Sequence, residues 1–584
     1  MVFTPPSWVP DFPFELPDSI SISEFVHTET YGRRPYKYSR NPFTCGLTGK
    51  TYTNAETSEN IEYVARGLAK EVGWSPNDGT EWDKVVCVFS LNTIDYMPLL
   101  YSVHRLSGIV SPANAVYSAS ELEYQLKSSK AKALVTCIPL LETAIEAAKA
   151  AGIPPNRIFI LEMAKQFSGD KLVPFKSVTE LMEVGRKLPE LEPLRWERGR
   201  GRKQTAYLSY SSGTSGFPKG VMISHYNVIA NILQFATYDT PFRSKKAENK
   251  RAEVSLALLP FSHIYGLSVI GSQGPYQGDE LVVLPKFEMK SFLTTIATFK
   301  ANNLFIVPPI IIAMLNNKSL LTEFDLSNVT GILSGAAPLG EETIRDLQMQ
   351  FPSWIIRQGY GLTELSPTVT IGNQLDIWGA SCGCLLPRSK AKLINMEGVE
   401  LTGYDEPGEL VVQSPSLCLG YFENDKANEE TFITDTDGTR WMRTGDEAVF
   451  RKAPSGHEHI FITDRIKELI KVKGIQVAPA ELEAHILTHP SVADVAVIAV
   501  PDHDAGEVPK AFIVKASSVG LEENDRMVAR VIARHVEKHK ARHKWLRGGI
   551  EFVDVIPKSP SGKILRRLLR DQDRAARKAS GAKL

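Results

Sequence analysis

An α/β architecture of at least two domains is the fold class this sequence predicts. It would comprise a large N-terminal domain of doubly wound sheets with a β subdomain, followed by a small α+β C-terminal domain. Three observations predict it. The chain has 584 residues, more than one hydrophobic core usually holds. Short apolar runs alternate with helical periodicity over most of its length, the pattern of parallel strands covered by helices. From about residue 464 the texture changes to a strand, helix and strand succession of the size of one small domain.

The elements follow in order. KVVCVFSLN (84–92), KALVTCIPL (132–140) and NRIFILEM (156–163) read as buried strands, and DYMPLLYSVHRLSG and SELEYQLKSSK as helices between them. Residues 204–210 read as a strand and 221–235 as an apolar helix. The pattern recurs at VSLALLP (254–260), NLFIVPP (303–309) and GILSGAAPL (331–339). Turn-rich, strand-like segments from about residue 381 to 451 predict the β subdomain. Beyond them PAELEAHILTHPSV reads as a helix, VADVAVIAVPD and PKAFIVK as strands, and a long basic helix follows. The domain boundary falls between residues 464 and 465, giving domains 1–464 and 465–584.

Composition narrows the function classes. Apolar residues are 43% and charged residues 23%, with Lys+Arg and Asp+Glu equal at 67 each. No basic excess points to nucleic acid or to an anionic membrane surface. No apolar run approaches the length of a membrane helix, so no membrane span is expected. The first twenty residues lack the basic and apolar regions of a secretory signal. Of six scattered cysteines only Cys382 and Cys384 are close, as C-G-C, and no second pair completes a zinc site. Free thiols in a reducing compartment are expected. Ala582-Lys583-Leu584 is similar to the S-K-L address. It predicts a peroxisomal import receptor as partner and a peroxisomal location, or a cytoplasmic one if the signal is not used.

Two glycine-rich stretches invite a phosphate reading. CGLTGKT (45–51) lacks the four-residue spacer of a Walker loop and reads as a hairpin turn. YLSYSSGTSGFPKGVMISHYN (207–227) is different. Gly213, Gly216 and Gly220 can turn backbone N–H groups toward an anion. Ser211, Ser212, Thr214 and Ser215 add hydroxyl donors, and Lys219 a fixed charge. Pro218 before the lysine and Gly220 in place of a magnesium-binding hydroxyl separate it from Walker A.

This loop resembles the pyrophosphate loop of the acyl-adenylate-forming (AMP-binding) superfamily. Six further motifs stand in that superfamily's order: LLPFSHIYG (258–266), LSGAAPLG (333–340), QGYGLTE (358–364), WMRTGD (441–446), DRIKELIKVKGIQVAPAELE (464–483) and PKSPSGKILRR (557–567). Within it the sequence is most similar to 4-coumarate–CoA ligase and related acid–CoA ligases, over nearly the whole chain. The resemblance implies ATP-dependent ligation of a carboxylic acid to coenzyme A through an acyl-adenylate, with ATP, Mg2+ and coenzyme A. A luciferase-like oxygenase, or an adenylation enzyme feeding a carrier protein, are the alternatives within the same superfamily.

The resemblance also implies roles. Ser211, Ser212, Gly213, Thr214, Ser215, Gly216 and Lys219 would hold the β and γ phosphates, and Glu364 with Thr214 the magnesium. Thr363 would bond the α-phosphate, Tyr360 flank adenine, and Asp446 accept the ribose hydroxyls with Arg465 nearby. Ala337, Gln358, Gly359, Lys467, Lys471 and Gln476 complete the nucleotide set. Lys563 would stabilise the adenylation transition state from a mobile small domain hinged at residues 464–467. Lys473, Gly474 and Lys286 would line the coenzyme A path, although Lys286 also reads as a solvated loop lysine. His263, Tyr265, Gly266, Gly335, Pro367 and Thr368 would form the acid pocket, with His263 beside the carboxylate or simply a buried, satisfied histidine. LSPTV after Glu364, with Gly266 beside Tyr265, departs from the hydroxycinnamate pattern and argues against 4-coumarate itself; a medium-chain or aryl-alkanoic acid fits a peroxisomal ligase of this size better.

Overall fold

In a computed structural model, the described residues are 1–169, 171–211, 218–245, 252–516, 524–559 and 562–579. They form mixed α/β layers in a large N-terminal part and a smaller C-terminal one. The peroxisomal-type tripeptide lies outside them.

Two sheets form the main body of the large part, beside the β subdomain. In one, Phe43–Cys45, Glu280–Val283, Val254–Ala257, Asn303–Ile306, Gly331–Ser334 and Ile355–Gly361 run parallel side by side. Antiparallel strands close its ends: Thr51–Tyr52 on one side, Thr368–Ile371 and Cys384–Leu385 on the other. CGLTGKT is therefore the turn of the hairpin between Phe43–Cys45 and Thr51–Tyr52. The second sheet orders Gly420–Tyr421, Lys219–Ser224, Thr205–Ser211, Ile109–Pro112, Val85–Phe89, Ala133–Thr136 and Ile158–Ile160. Val85–Phe89 is buried at every position, as a parallel strand covered on both faces must be.

One element departs from the sequence reading. Residues 221–235 are not one helix: Lys219–Ser224 is a strand paired antiparallel to Thr205–Ser211, and the helix His225–Lys245 begins after it. Ser224 and Asn227 cap that start reciprocally. Asn227 N donates to Ser224 Oγ at 3.2 Å, and Ser224 N donates to Asn227 Oδ1 at 3.0 Å, the pattern of a capping box with Asn at its third position.

The β subdomain sheet runs Lys390–Ile394, Gly408–Gln413, Arg440–Lys452 and Phe432–Thr434, with Glu458–Arg465 paired to Arg440–Lys452 along the same edge as Phe432–Thr434. The next sheet begins at Ile470–Val472, pairs with Ile475–Val477, and continues through Gly506–Lys515 and Val492–Asp502. Helices Pro479–Ile486 and Asp525–His539 cover it. Its core, with Leu482, Val497, Phe512, Ile532 and Val536, is separate from that of the large part.

Candidate active site

The phosphate-type loop is anchored at both ends. Ser211 pairs with Lys219 across the antiparallel strands, while Ser212, Gly213, Thr214, Ser215 and Gly216 lie outside the described residues. Ser211 Oγ donates to Glu364 Oε1 at 3.2 Å, and the Tyr421 hydroxyl donates to the same oxygen at 2.9 Å. Lys219 Nζ stands 4.6 Å above the Tyr421 ring. Glu364 is buried, on the short 3-10 turn Thr363–Leu365, with Thr363 half-buried beside it. Sequence reasoning missed Tyr421, and no local motif marks it.

Tyr360 lies at the end of the strand Ile355–Gly361. Its hydroxyl donates to Asp446 Oδ2 at 2.6 Å, and Arg465 Nε stands 3.6 Å from Asp446 Oδ1. Burial raises the Asp446 carboxyl, against the lowering effects of Arg465, the Tyr360 hydroxyl and Lys563. Gly445 turns the chain at φ 71° just before Asp446.

Residues of the QGYG segment also make contacts within the fold. The Gln358 side chain faces inward, accepting from Leu339 N at 2.9 Å. It therefore braces the loop that carries Gly335 and Ala337. Packing requires glycine at 361, where a Cβ would stand 2.2 Å from the Pro367 carbonyl oxygen. Gly359 is also confined, with Thr370 O 3.3 Å from a Cβ built there.

Lys563 comes from the small domain. Its backbone N donates to Ser559 Oγ at 3.2 Å, and Ser559 N donates to its carbonyl at 2.8 Å. Gly562 takes φ 84° and packs on Val307 and Pro309 of the large domain. Pro560 lies outside the described residues. Burial, then Arg465, pulls the Lys563 amine down to about 8, with Asp446, Glu364 and Glu468 opposing. Its charge in turn reaches His263, which burial and Lys563 together hold at about 4. His263 is thus neutral near pH 7, and its Nδ1 accepts from Tyr265 N at 3.3 Å.

The Tyr265 ring is fixed by its hydroxyl, which donates to Leu333 O at 2.9 Å, and it meets Phe305 edge-on at 6.5 Å. A Cβ on Gly335 would lie 3.3 Å from Tyr265 Cε1. At Gly266 a Cβ would strike Pro260 O at 2.2 Å, so packing of the chain turn requires glycine there. Pro367 and Thr368 are buried. Asn231 clamps Thr368 from both sides, accepting from its N at 3.1 Å and donating to its O at 2.8 Å.

The remaining candidates stand elsewhere. Lys471, Lys473, Gly474 and Gln476 are exposed on the hairpin of Ile470–Val472 with Ile475–Val477, and Lys471 pairs with Gln476 across it. Lys467 is exposed beside the turn from Arg465. Lys286 is exposed, with Nζ 5.7 Å over the Phe167 ring.

Comparison with known proteins follows the same outline. The sequence matches the AMP-binding enzyme family over residues 33–422 and the AMP-binding enzyme C-terminal domain over 481–563. An acyl-CoA ligase of Emericella nidulans is 40% identical over 574 residues, covering 98% of this chain and 100% of that one. Another from Alternaria alternata is 39% identical, covering 100% and 99%. Among solved structures, the anthranilate CoA ligase AuaEII with anthranoyl-AMP superposes with TM-score 0.78 at 22% identity, over 95% of this chain and 98% of that one. A benzoate CoA ligase from Burkholderia xenovorans gives 0.75 at 20% identity, over 94% and 100%.

Proposed function

This chain belongs to the AMP-binding enzyme family, and we propose from that premise how it works as an ATP-dependent carboxylic acid–CoA ligase. The observation that carries the reading is the convergence of half-buried Lys563 of the small domain with Arg465 at the hinge and with Asp446 and Glu364 of the large domain, whose charges all act on its amine.

A carboxylate oxygen of the acid attacks the α-phosphorus of ATP, and pyrophosphate departs with the electron pair of the broken P–O bond. Charge grows on the α-phosphate and on the leaving pyrophosphate, so preorganised cations and donors lower the barrier most. Lys563 supplies the cation at the attacking oxygen and Thr363 a hydroxyl. Ser211 and Lys219, with residues 212–217, hold the β and γ phosphates. Asp446 takes the ribose hydroxyls and Tyr360 lies along adenine. Glu364 suits magnesium: the hydroxyls of Ser211 and Tyr421 both fall on Oε1, which leaves Oε2 to the ion. Bound magnesium would neutralise phosphate charge.

In the second half-reaction the coenzyme A thiolate attacks the acyl carbonyl and AMP leaves. Lys473 and Gly474 serve that step after the small domain turns about residues 464–467, which replaces Lys563 by the hairpin 470–477. Their exposure supports this division of labour. For the acid, the aromatic wall of Tyr265 and Phe305 supports an aryl-alkanoic or medium-chain substrate.

A panel of acids, followed by pyrophosphate release and by mass detection of acyl-CoA, tests the reading. Aryl-alkanoic or medium-chain acids should release pyrophosphate and give thioester only with coenzyme A present. Turnover restricted to short or dicarboxylic acids would overturn the substrate assignment. Pyrophosphate release without thioester would overturn the ligase.

A further inference from the structure

Cys382-Gly383-Cys384, which the sequence leaves without further ligands, acquires partners in the fold. Cys384 lies on the edge strand Cys384–Leu385 of the large sheet and His459 on Glu458–Arg465 of the β subdomain. Asp376 comes from the segment between Thr368–Ile371 and Cys384–Leu385. Cys384 Sγ, a His459 ring nitrogen and an Asp376 carboxylate oxygen all lie within 4.8 Å of one another. His459 is 1% exposed and Cys384 fully buried. Asp376, at 12% side-chain exposure, gives the group one edge toward solvent.

The surrounding hydrogen bonds fix the imidazole. Ser381 Oγ accepts from Gly383 N at 2.9 Å and donates its single proton to Ile460 O at 3.3 Å. With that arrangement its 2.9 Å contact with His459 Nδ1 is assigned as one in which the ring donates. That leaves Nε2, which stands 3.2 Å from Asp376 Oδ2 yet has no hydrogen-bond partner among the described residues. The nitrogen approaches the carboxylate without aiming at it. Such geometry fits two ligands of one cation better than a donor and its acceptor. Nitrogen and oxygen ligands of a tetrahedral zinc sit about 2.0–2.2 Å from the metal, hence roughly 3.3 Å apart. Outer partners are also in place: Ser381 holds Nδ1, and Ser455 Oγ donates to Asp376 Oδ2 at 2.8 Å.

We propose that Cys384, His459 and Asp376 bind a divalent transition cation of the zinc class, with solvent in the fourth position at the Asp376 edge. A thiolate, an imidazole and a carboxylate select zinc or cobalt over magnesium and calcium, which take oxygen ligands. The ion ties the edge of the large sheet to the strand that ends at Arg465, and so stiffens the approach to residues 464–467. The site is independent of Glu364 and of the ligase reading.

Cobalt serves as the probe, because thiolate ligation gives it a near-ultraviolet charge-transfer band. The full chain, freed of metal by chelator and dialysis, is titrated with cobalt and then with zinc. The expected result is a band that saturates at one equivalent and is displaced by zinc. A second histidine group, His485, His535 and His539, is solvent-accessible on the small domain. It carries no thiol, and the His535→Gln/His539→Gln variant should keep the band. Cys384→Ala should lose it, and Ser381→Ala should weaken cobalt binding by about tenfold through the loosened imidazole. No thiolate band in the parent protein overturns the proposal, as does a band that survives Cys384→Ala. Should Cys384→Ala fail to fold, unchanged cobalt affinity in Ser381→Ala overturns it instead.

Discussion

The Tyr360 hydroxyl donates to Asp446 Oδ2 at 2.6 Å, joining the last strand of the parallel run to the β subdomain at a carboxylate that is 5% exposed. A hydrogen bond to a buried charge is worth about 1.5–3 kcal/mol, so the pair both stabilises the junction and holds Asp446 ready for ribose. Tyr360→Phe should therefore lower the melting temperature and raise the KM for ATP while leaving kcat close to the parent value. ATP saturation curves beside thermal melts check this. A fall in kcat with KM unchanged would contradict the positioning role.

Lys563 gives a prediction with a sign. Its amine, drawn down to about 8 by burial and by Arg465, is charged below that pH and neutral above it. Adenylation needs the charged form. The kcat/KM for ATP in pyrophosphate release should fall as pH rises through about 8, approaching tenfold per unit. Lys563→Arg should remove that limb. Lys563→Ala should add several kcal/mol to the adenylation barrier and spare thioester formation from supplied acyl-adenylate. Equal loss in both half-reactions would sink the two-face scheme.

His263 should behave as a neutral group. Burial and the Lys563 charge hold it at about 4, below the range in which a histidine base titrates. His263→Gln should shift the KM for the acid and leave the acidic side of the pH profile unchanged in shape. An acid limb near the ordinary histidine range that vanishes in this variant would show that His263 titrates during turnover.

How much of this was legible depended on how local the cause was. Val85–Phe89 announces itself, because five consecutive buried residues leave an apolar run. Residues 221–235 did not: Val221 and Ile223 extend a hairpin with Thr205–Ser211, and only the Ser224–Asn227 cap spacing hints where the helix starts. The packing demand for glycine at Gly361 and Gly266 comes from the carbonyls of Pro367 and Pro260, which the local sequence does not reveal. Tyr421 reaches Glu364 from 57 residues away, and Cys384 meets His459 across two sheets. Such convergence leaves no periodicity in either segment.

Gly474 offers a test of the second half-reaction. It sits at φ 81° on the exposed hairpin, with nothing within 4 Å of a Cβ built there. Substitution costs backbone strain of about 1–2 kcal/mol but no local clash. Gly474→Leu should leave adenylation intact and depress thioester formation, whereas Gly474→Asn, which tolerates the left-handed region, controls for strain with a smaller side chain. Thioester turnover unaltered in Gly474→Leu would place the thiol path elsewhere.

Gly335 and Gly266 separate pocket shape from packing. A Cβ on Gly335 would meet Tyr265 Cε1 at 3.3 Å, a contact that a small ring displacement relieves. The Tyr265 hydroxyl is held by Leu333 O, so the ring can yield only by tilting and changes the wall offered to the acid. Gly335→Ala should therefore melt close to the parent protein, yet raise the KM severalfold for the bulkiest acids accepted and less for slimmer ones. Gly266→Ala would drive its Cβ to 2.2 Å from Pro260 O, a backbone collision that no rotamer removes. It should destabilise by about 1–3 kcal/mol or more and lower soluble yield for every acid alike. Melting curves and KM values across an acid series distinguish the two. A Gly335→Ala enzyme with unaltered acid selectivity would remove this stretch from the acid pocket.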